Sequence, residues 1–275
     1  MAPGEPNSAA RLSAEAFAAQ YLRDYLLMLW EGRPVGVCER MSRKSVMNVL
    51  RSGLLADRKD RAGTDRRLLD TGREKVAELA KASQIPLGGV AFVGSSTFTY
   101  WRRLREDFPG VQLYNAAFGG SATHHQLEED IFEGLVMKFR PTQIVYFCGT
   151  NDVALGFTAE HVRDGAASFY KRVRERLGAD VHVMILAITK TPFYIDWKEP
   201  LALIDKANAL MASFCASTGD KHLAFVDHNS QPWTHDPAFF VGDNHHMNDA
   251  GHSRLAECIR PLLTGGPALA GRSKL

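Results

Sequence analysis

The stretch Val90-Ala91-Phe92-Val93-Gly94-Ser95-Ser96-Thr97 decides how this chain folds. Four apolar residues in a row read as a strand buried on both faces. Gly94 permits a sharp turn from strand to helix, and the hydroxyls behind it stand at the positive N-terminal end of that helix. The texture repeats downstream. Val111–Tyr114, Gln143–Phe147, Val181–Ile188 and Leu223–Asp227 are short runs rich in β-branched and aromatic residues. Between them lie helical patterns near Thr99–Glu106, Gln126–Lys138, Ala159–Leu177 and Leu201–Thr218, and a last one spans Ala250–Leu263. Strands alternating with helices of this length build right-handed βαβ units. The spacing predicts an α/β fold, a flavodoxin-like three-layer α/β/α sandwich around a five-stranded parallel sheet. Sites in such sheets sit in loops at the carboxyl ends of the strands.

Upstream of Gly88 the pattern differs. Phe17, Tyr21, Leu22, Tyr25, Leu26 and Leu29 recur at three- and four-residue steps, as on one face of a helix. Val46, Met47, Val49, Leu50, Leu54 and Leu55 predict a second helix, and Leu68, Leu69, Val76, Leu79 and Ala80 a third. The organisation expected is a helical extension over 1–87, an α/β domain over 88–263 and a flexible tail over 264–275. Residues 40–67 carry nine Lys/Arg against three Asp/Glu. Such a run is a solvated helical face or a docking patch for an acidic protein partner.

Composition sets the outer limits. The 275 residues are 45% hydrophobic and 23% charged, which excludes disordered, collagen-like and disulfide-scaffold classes. A net charge of +2 gives no global field to recruit nucleic acid or an anionic membrane. No apolar run reaches the roughly 18 residues a membrane span needs. Cys38, Cys148, Cys215 and Cys258 are far apart with no Cys-x-x-Cys spacing, so a reducing cytoplasmic setting is expected. The terminal Ser273-Lys274-Leu275 also has the form of a peroxisomal address.

Each loop after a predicted strand is ambiguous alone. Gly94-Ser95-Ser96-Thr97 makes a helix cap or presents a nucleophile. Gly119-Gly120-Ser121 makes a turn or offers amide donors to a bound group. Gly149-Thr150-Asn151-Asp152 caps a helix or supplies a side-chain amide donor. In Asp243-Asn244-His245-His246-Met247-Asn248-Asp249, an acid three residues before an imidazole can accept its N–H bond and fix its tautomer. His245 is the alternative base. Adjacent histidines on a helix point about 100° apart, so the doublets His124-His125 and His245-His246 make poor chelates, and neither a metal nor a cofactor is expected.

The ordered set Ser, Gly, Asn and Asp-x-x-His resembles the SGNH (GDSL) hydrolase family from about Gly88 to Leu263. The resemblance implies that Ser96 is the nucleophile and that Asp243 and His246 complete a triad. It also implies an oxyanion hole made by the Ser96 amide, Gly120 and Asn151. Ser95 departs from the family pattern, which usually has Asp before the nucleophile. The implied function is hydrolysis of a small-molecule carboxylic ester, an acyl or acetyl ester, through an acyl-enzyme. A lysophospholipase, a thioesterase or an acyltransferase would use the same groups, and an idle scaffold docked through the N-terminal helices is the non-enzymatic alternative. Phe118, Phe193, Tyr194 and Trp197 either wall an acyl pocket or cover the sheet end as core.

Overall fold

Five short strands form one all-parallel sheet in the order β2-β1-β3-β4-β5. They are β1 (Val90–Gly94), β2 (Leu113–Asn115), β3 (Gln143–Phe147), β4 (His182–Leu186) and β5 (Leu223–Val226). The computed structural model describes residues 60–82, 85, 87–195 and 197–263. The helix patterns around Phe17–Leu29 and Val46–Leu55, and the tail after 263, lie outside the described residues.

The third upstream pattern is a helix, α1 (Arg61–Lys81). The others used here are α2 (Ser96–Thr99), α3 (Glu129–Leu135), α4 (Thr150–Ala154), α5 (Ala159–Leu177), α6 (Lys198–Ser217) and α7 (Asp249–Ile259). One face of the sheet packs Phe92, Val145 and Leu186 against Phe98, Trp101, Phe108 and the α7 residues Leu255 and Ile259. On the other face Tyr146 of β3 stacks on Phe169 of α5 at 4.3 Å between ring centroids. Every residue of β1 and β3 is buried, as a central parallel strand covered on both faces must be.

The helix expected over Thr99–Glu106 is instead two short turns, Ser96–Thr99 and Leu104–Asp107. At the break the Phe98 carbonyl accepts from the Trp101 amide and from the Asn115 side-chain amide, while the Arg102 amide, which a continuing helix would have sent to it, turns to the Tyr100 carbonyl. The Trp101 indole then donates to Asp107 at 2.7 Å and closes the corner.

α1 lies upstream of residue 88, yet it packs on the α/β layer. A Cβ on Gly72 would come within 2.6 Å of Ile131 on α3 and 3.1 Å of Phe118. The compact unit holding the sheet begins at Arg61.

Gly94 fixes the site end of β1. Its φ is +158°, and a Cβ there would overlap the backbone carbonyl of Phe147, which accepts from the Ser95 amide at 3.2 Å. Backbone on a central strand cannot step aside. Gly94→Ala is expected to cost about 3–5 kcal/mol, read as a drop in the urea midpoint.

Candidate active site

Ser96 is the first residue of α2, directly after the β1 turn, and is 9% exposed. A residue there has helical backbone, so its side chain leaves the sheet end while its own amide finds no partner inside the helix. Neither the Ser96 nor the Gly120 amide donates a hydrogen bond among the described residues.

The loop before α7 brings the acid and the imidazole. Asn244 sits in the left-handed region at φ +59°, a conformation that Asn tolerates. That turn folds the fully buried Asp243 carboxylate beneath the next two amides, and its Oδ1 accepts from His245 N at 2.8 Å and His246 N at 2.9 Å. Oδ2 accepts from His246 Nδ1 at 2.6 Å. Burial pushes the Asp243 carboxyl up, but the adjacent His246 and these bonds outweigh it and hold it below the usual carboxylate range. With Nδ1 carrying the proton, His246 Nε2 presents a lone pair, and the Ser96 hydroxyl donates to it at 2.9 Å. Residues 150 positions apart therefore share one hydrogen-bond chain.

Gly120 and Asn151 meet through Ser121. The Asn151 amide donates to the Ser121 carbonyl at 2.9 Å, which leaves its second N–H available. The Ser121 hydroxyl donates to the Gly94 carbonyl at 3.1 Å, and Gln126 donates to both groups. Gly120 holds φ +79°, with Leu68 of α1 so close that a Cβ would lie 2.6 Å from it. The glycine turn is thus tied to the end of β1, two residues before Ser96.

The four aromatic residues part company. Phe193 and Tyr194 pack their rings on His245 at 5.4 and 5.5 Å, and Trp197 lies 5.9 Å from Phe193. Phe118 is turned under α1. His245 is the neighbour of the chain rather than a link in it. Its Nδ1 lies 3.4 Å from the Thr191 hydroxyl, and burial, with the nearby His246, pushes its pKa down to about 3. Pattern reading missed Tyr100, whose ring lies edge-on to His246 at 5.1 Å. Its position four residues after Ser96, on the same side of a helical turn, was the available signal. A cavity of about 560 Å³ lined by Met137, Arg140, Thr142, Arg176 and Val181 opens at the amino ends of β3 and β4, the opposite edge of the sheet.

The profile of the GDSL-like lipase/acylhydrolase family matches residues 85–254. The chain belongs to that family. A GDSL-like lipase from Bacteroides thetaiotaomicron shares the fold with this GDSL-like chain at TM-score 0.58 and 17% identity, covering 70% of this chain and 97% of its own. An acetylxylan esterase from Geobacillus stearothermophilus superposes at TM-score 0.52 and 16% identity, covering 68% and 99%. No curated protein sequence matches the chain. Among the described residues no helix is long and apolar enough to cross a membrane.

Neutral buried histidines give this acylhydrolase-family fold a pH signature. Burial pushes His125, His228 and His252 down to about 4, against 6.5 for a free imidazole. The unfolded chain therefore takes up protons below about pH 6.5 that the folded chain refuses until near pH 4. Their contribution is complete above about pH 6.5 and is lost progressively as pH falls from there to about 4. The urea midpoint is expected to be clearly lower at about pH 5 than at about pH 7.5, with unchanged slope. A flat profile would contradict the neutral state of these rings.

Proposed function

We propose that this GDSL-family protein is a serine hydrolase that cleaves a carboxylic ester through an acyl-enzyme on Ser96. The observation that carries the reading is the continuous chain from Ser96 Oγ through His246 to Asp243. His246 Nε2 takes the hydroxyl proton as Ser96 Oγ attacks the ester carbonyl, and Asp243 supports the imidazolium that forms. The tetrahedral oxyanion lies against the amides of Ser96 and Gly120 and the free N–H of Asn151. Collapse expels the alcohol, which takes its proton from His246. Water, activated by the same ring, then releases the acid and restores the serine.

Short acyl groups, acetyl above all, are the substrates we favour. Tyr100 stands over one side of His246, and Phe193 and Tyr194 are packed into His245 instead of opening a long apolar groove. The acetylxylan esterase named above acts on acetyl esters. Chromogenic acetyl, butyryl and octanoyl esters test the reading, with kcat/KM expected to fall as the chain lengthens. Asn151→Ala should lower kcat by about 10²–10³-fold with little change in KM, the effect of removing one donor that matters only in the transition state. Equal rates across the ester series would overturn the short-chain assignment, and normal turnover in Asn151→Ala would remove that residue from the oxyanion hole.

A further inference from the structure

Beyond the ester site, α1, the 3-10 turn Thr123–Leu127, α4 and the start of α5 bring together Asp65, His124, His125, Asp152 and His161. Two overlapping groups arise, Asp65–His124–His125 and His124–Asp152–His161, each with its ligand atoms within 4.8 Å of one another. They are not equivalent. His125 Nδ1 accepts from the Ala122 amide at 2.9 Å, so its Nε2 carries the proton and donates to Asp65 Oδ1 at 3.1 Å. That group is accounted for by hydrogen bonds.

The second group has spare lone pairs. Asp65 Oδ1 also lies 3.3 Å from His124 Nε2, so the carboxylate draws the proton to that nitrogen and leaves a lone pair on Nδ1. That Nδ1 is buried with no hydrogen-bond partner among the described residues. His161 Nε2 is buried and unpartnered in the same way, 3.7 Å from Asp152 Oδ1. Asp152 has no exposed surface and, among the described residues, takes donors only from the amide and hydroxyl of Thr123. A ring nitrogen from each of His124 and His161 and an oxygen of the buried Asp152 carboxylate lie within 4.8 Å of one another, a set of donors that suits a cation.

We propose that His124 Nδ1, His161 Nε2 and the Asp152 carboxylate bind a divalent transition-metal ion of the zinc class. Two imidazoles and one carboxylate suit zinc and its neighbours and do not suit the all-oxygen preference of calcium or magnesium. Bonds of about 2.0–2.2 Å place tetrahedral ligands about 3.4 Å apart, close to the separation of His161 Nε2 and Asp152. The surroundings also fit. Asp65 orients His124 from behind as an outer carboxylate partner, and the Phe157 ring stacks on His161 at 4.1 Å and meets His124 edge-on at 5.3 Å. Adjacent histidines chelate poorly from one helix; here the second imidazole and the carboxylate arrive from other elements. The ion would pin the start of α5 to the turn that follows Gly119-Gly120-Ser121. This makes it a support for that turn and not a participant in ester chemistry. The proposal stands apart from the Ser96 reading.

The test is metal binding by the tag-free full-length protein after chelator treatment. Zn²⁺ is titrated by calorimetry, and Co²⁺ is followed by its visible absorption. One equivalent is expected to bind, with Co²⁺ bands of nitrogen–oxygen ligation and a higher melting temperature in Zn²⁺. His161→Gln and His124→Gln should each weaken binding by at least about 100-fold, and Asp65→Asn by about 10–100-fold as an outer partner. Circular dichroism checks that each variant is folded. A wild-type protein that binds no more Zn²⁺ than His161→Gln, or variants that bind as tightly as wild type, would overturn the site.

Discussion

Ser96→Ala is expected to lower kcat for a chromogenic acetyl ester by about 10⁴–10⁶-fold, with the melting temperature nearly unchanged. The size of the effect follows from the connectivity. Removing Oγ leaves His246 with a lone pair and nothing to deprotonate, and the acyl-enzyme route is closed. On the proposed mechanism, the amide donors around Gly120 and Asn151 and substrate binding would survive and still accelerate attack by water to a small extent. Among the described residues the hydroxyl donates to His246 alone, so the folded state loses only one modest hydrogen bond. Steady-state kinetics on protein freed of contaminating esterase is the measurement. Turnover near that of the wild type would remove Ser96 as nucleophile, however good its geometry.

Asp243→Asn should cost about 10⁴-fold in kcat while KM moves little. The geometry makes this an electronic change more than a structural one. Oδ1 of Asp243 accepts both backbone amides of the turn, and the carbonyl oxygen of the substituted side chain can keep those two bonds. The group facing His246 Nδ1 then becomes an NH₂ donor, so Nδ1 must accept and the ring proton moves to Nε2. That nitrogen now donates toward Ser96 Oγ and can no longer take its proton. A folded variant with kcat within about ten-fold of wild type would show that Asp243 is structural and that another group sets the ring.

Much of this was legible in the chain. β3 spans the residues that the run Gln143–Phe147 predicted, and α5 spans Ala159–Leu177 as its spacing required, because a central parallel strand and a long amphipathic helix each repeat one local rule. β2 was harder. It covers Leu113–Asn115, shifted two residues from the run beginning at Val111, since its limits come from pairing with β1 and not from its own composition. The split between α2 and the next helical turn was invisible, because the Asn115 amide that bonds the Phe98 carbonyl at the break is supplied from 17 residues away. The site shows the same division. Spacing alone brought Asp243 to His246, three residues apart on one turn, whereas Thr191 and Leu68 reach the site through packing.

By itself the sequence determined the kind of sheet, the order of the chemical groups along it and the family to which the chain belongs. These follow from short-range periodicity and from which residue types end each strand, and both are written locally. Only the tertiary structure decided that Ser96 Oγ comes within hydrogen-bond reach of His246 Nε2, that Phe118 turns under α1, and that His124 and His161 gather around one buried carboxylate. Contacts between residues far apart depend on how whole elements pack. No local spacing records where a ring nitrogen is left without a partner.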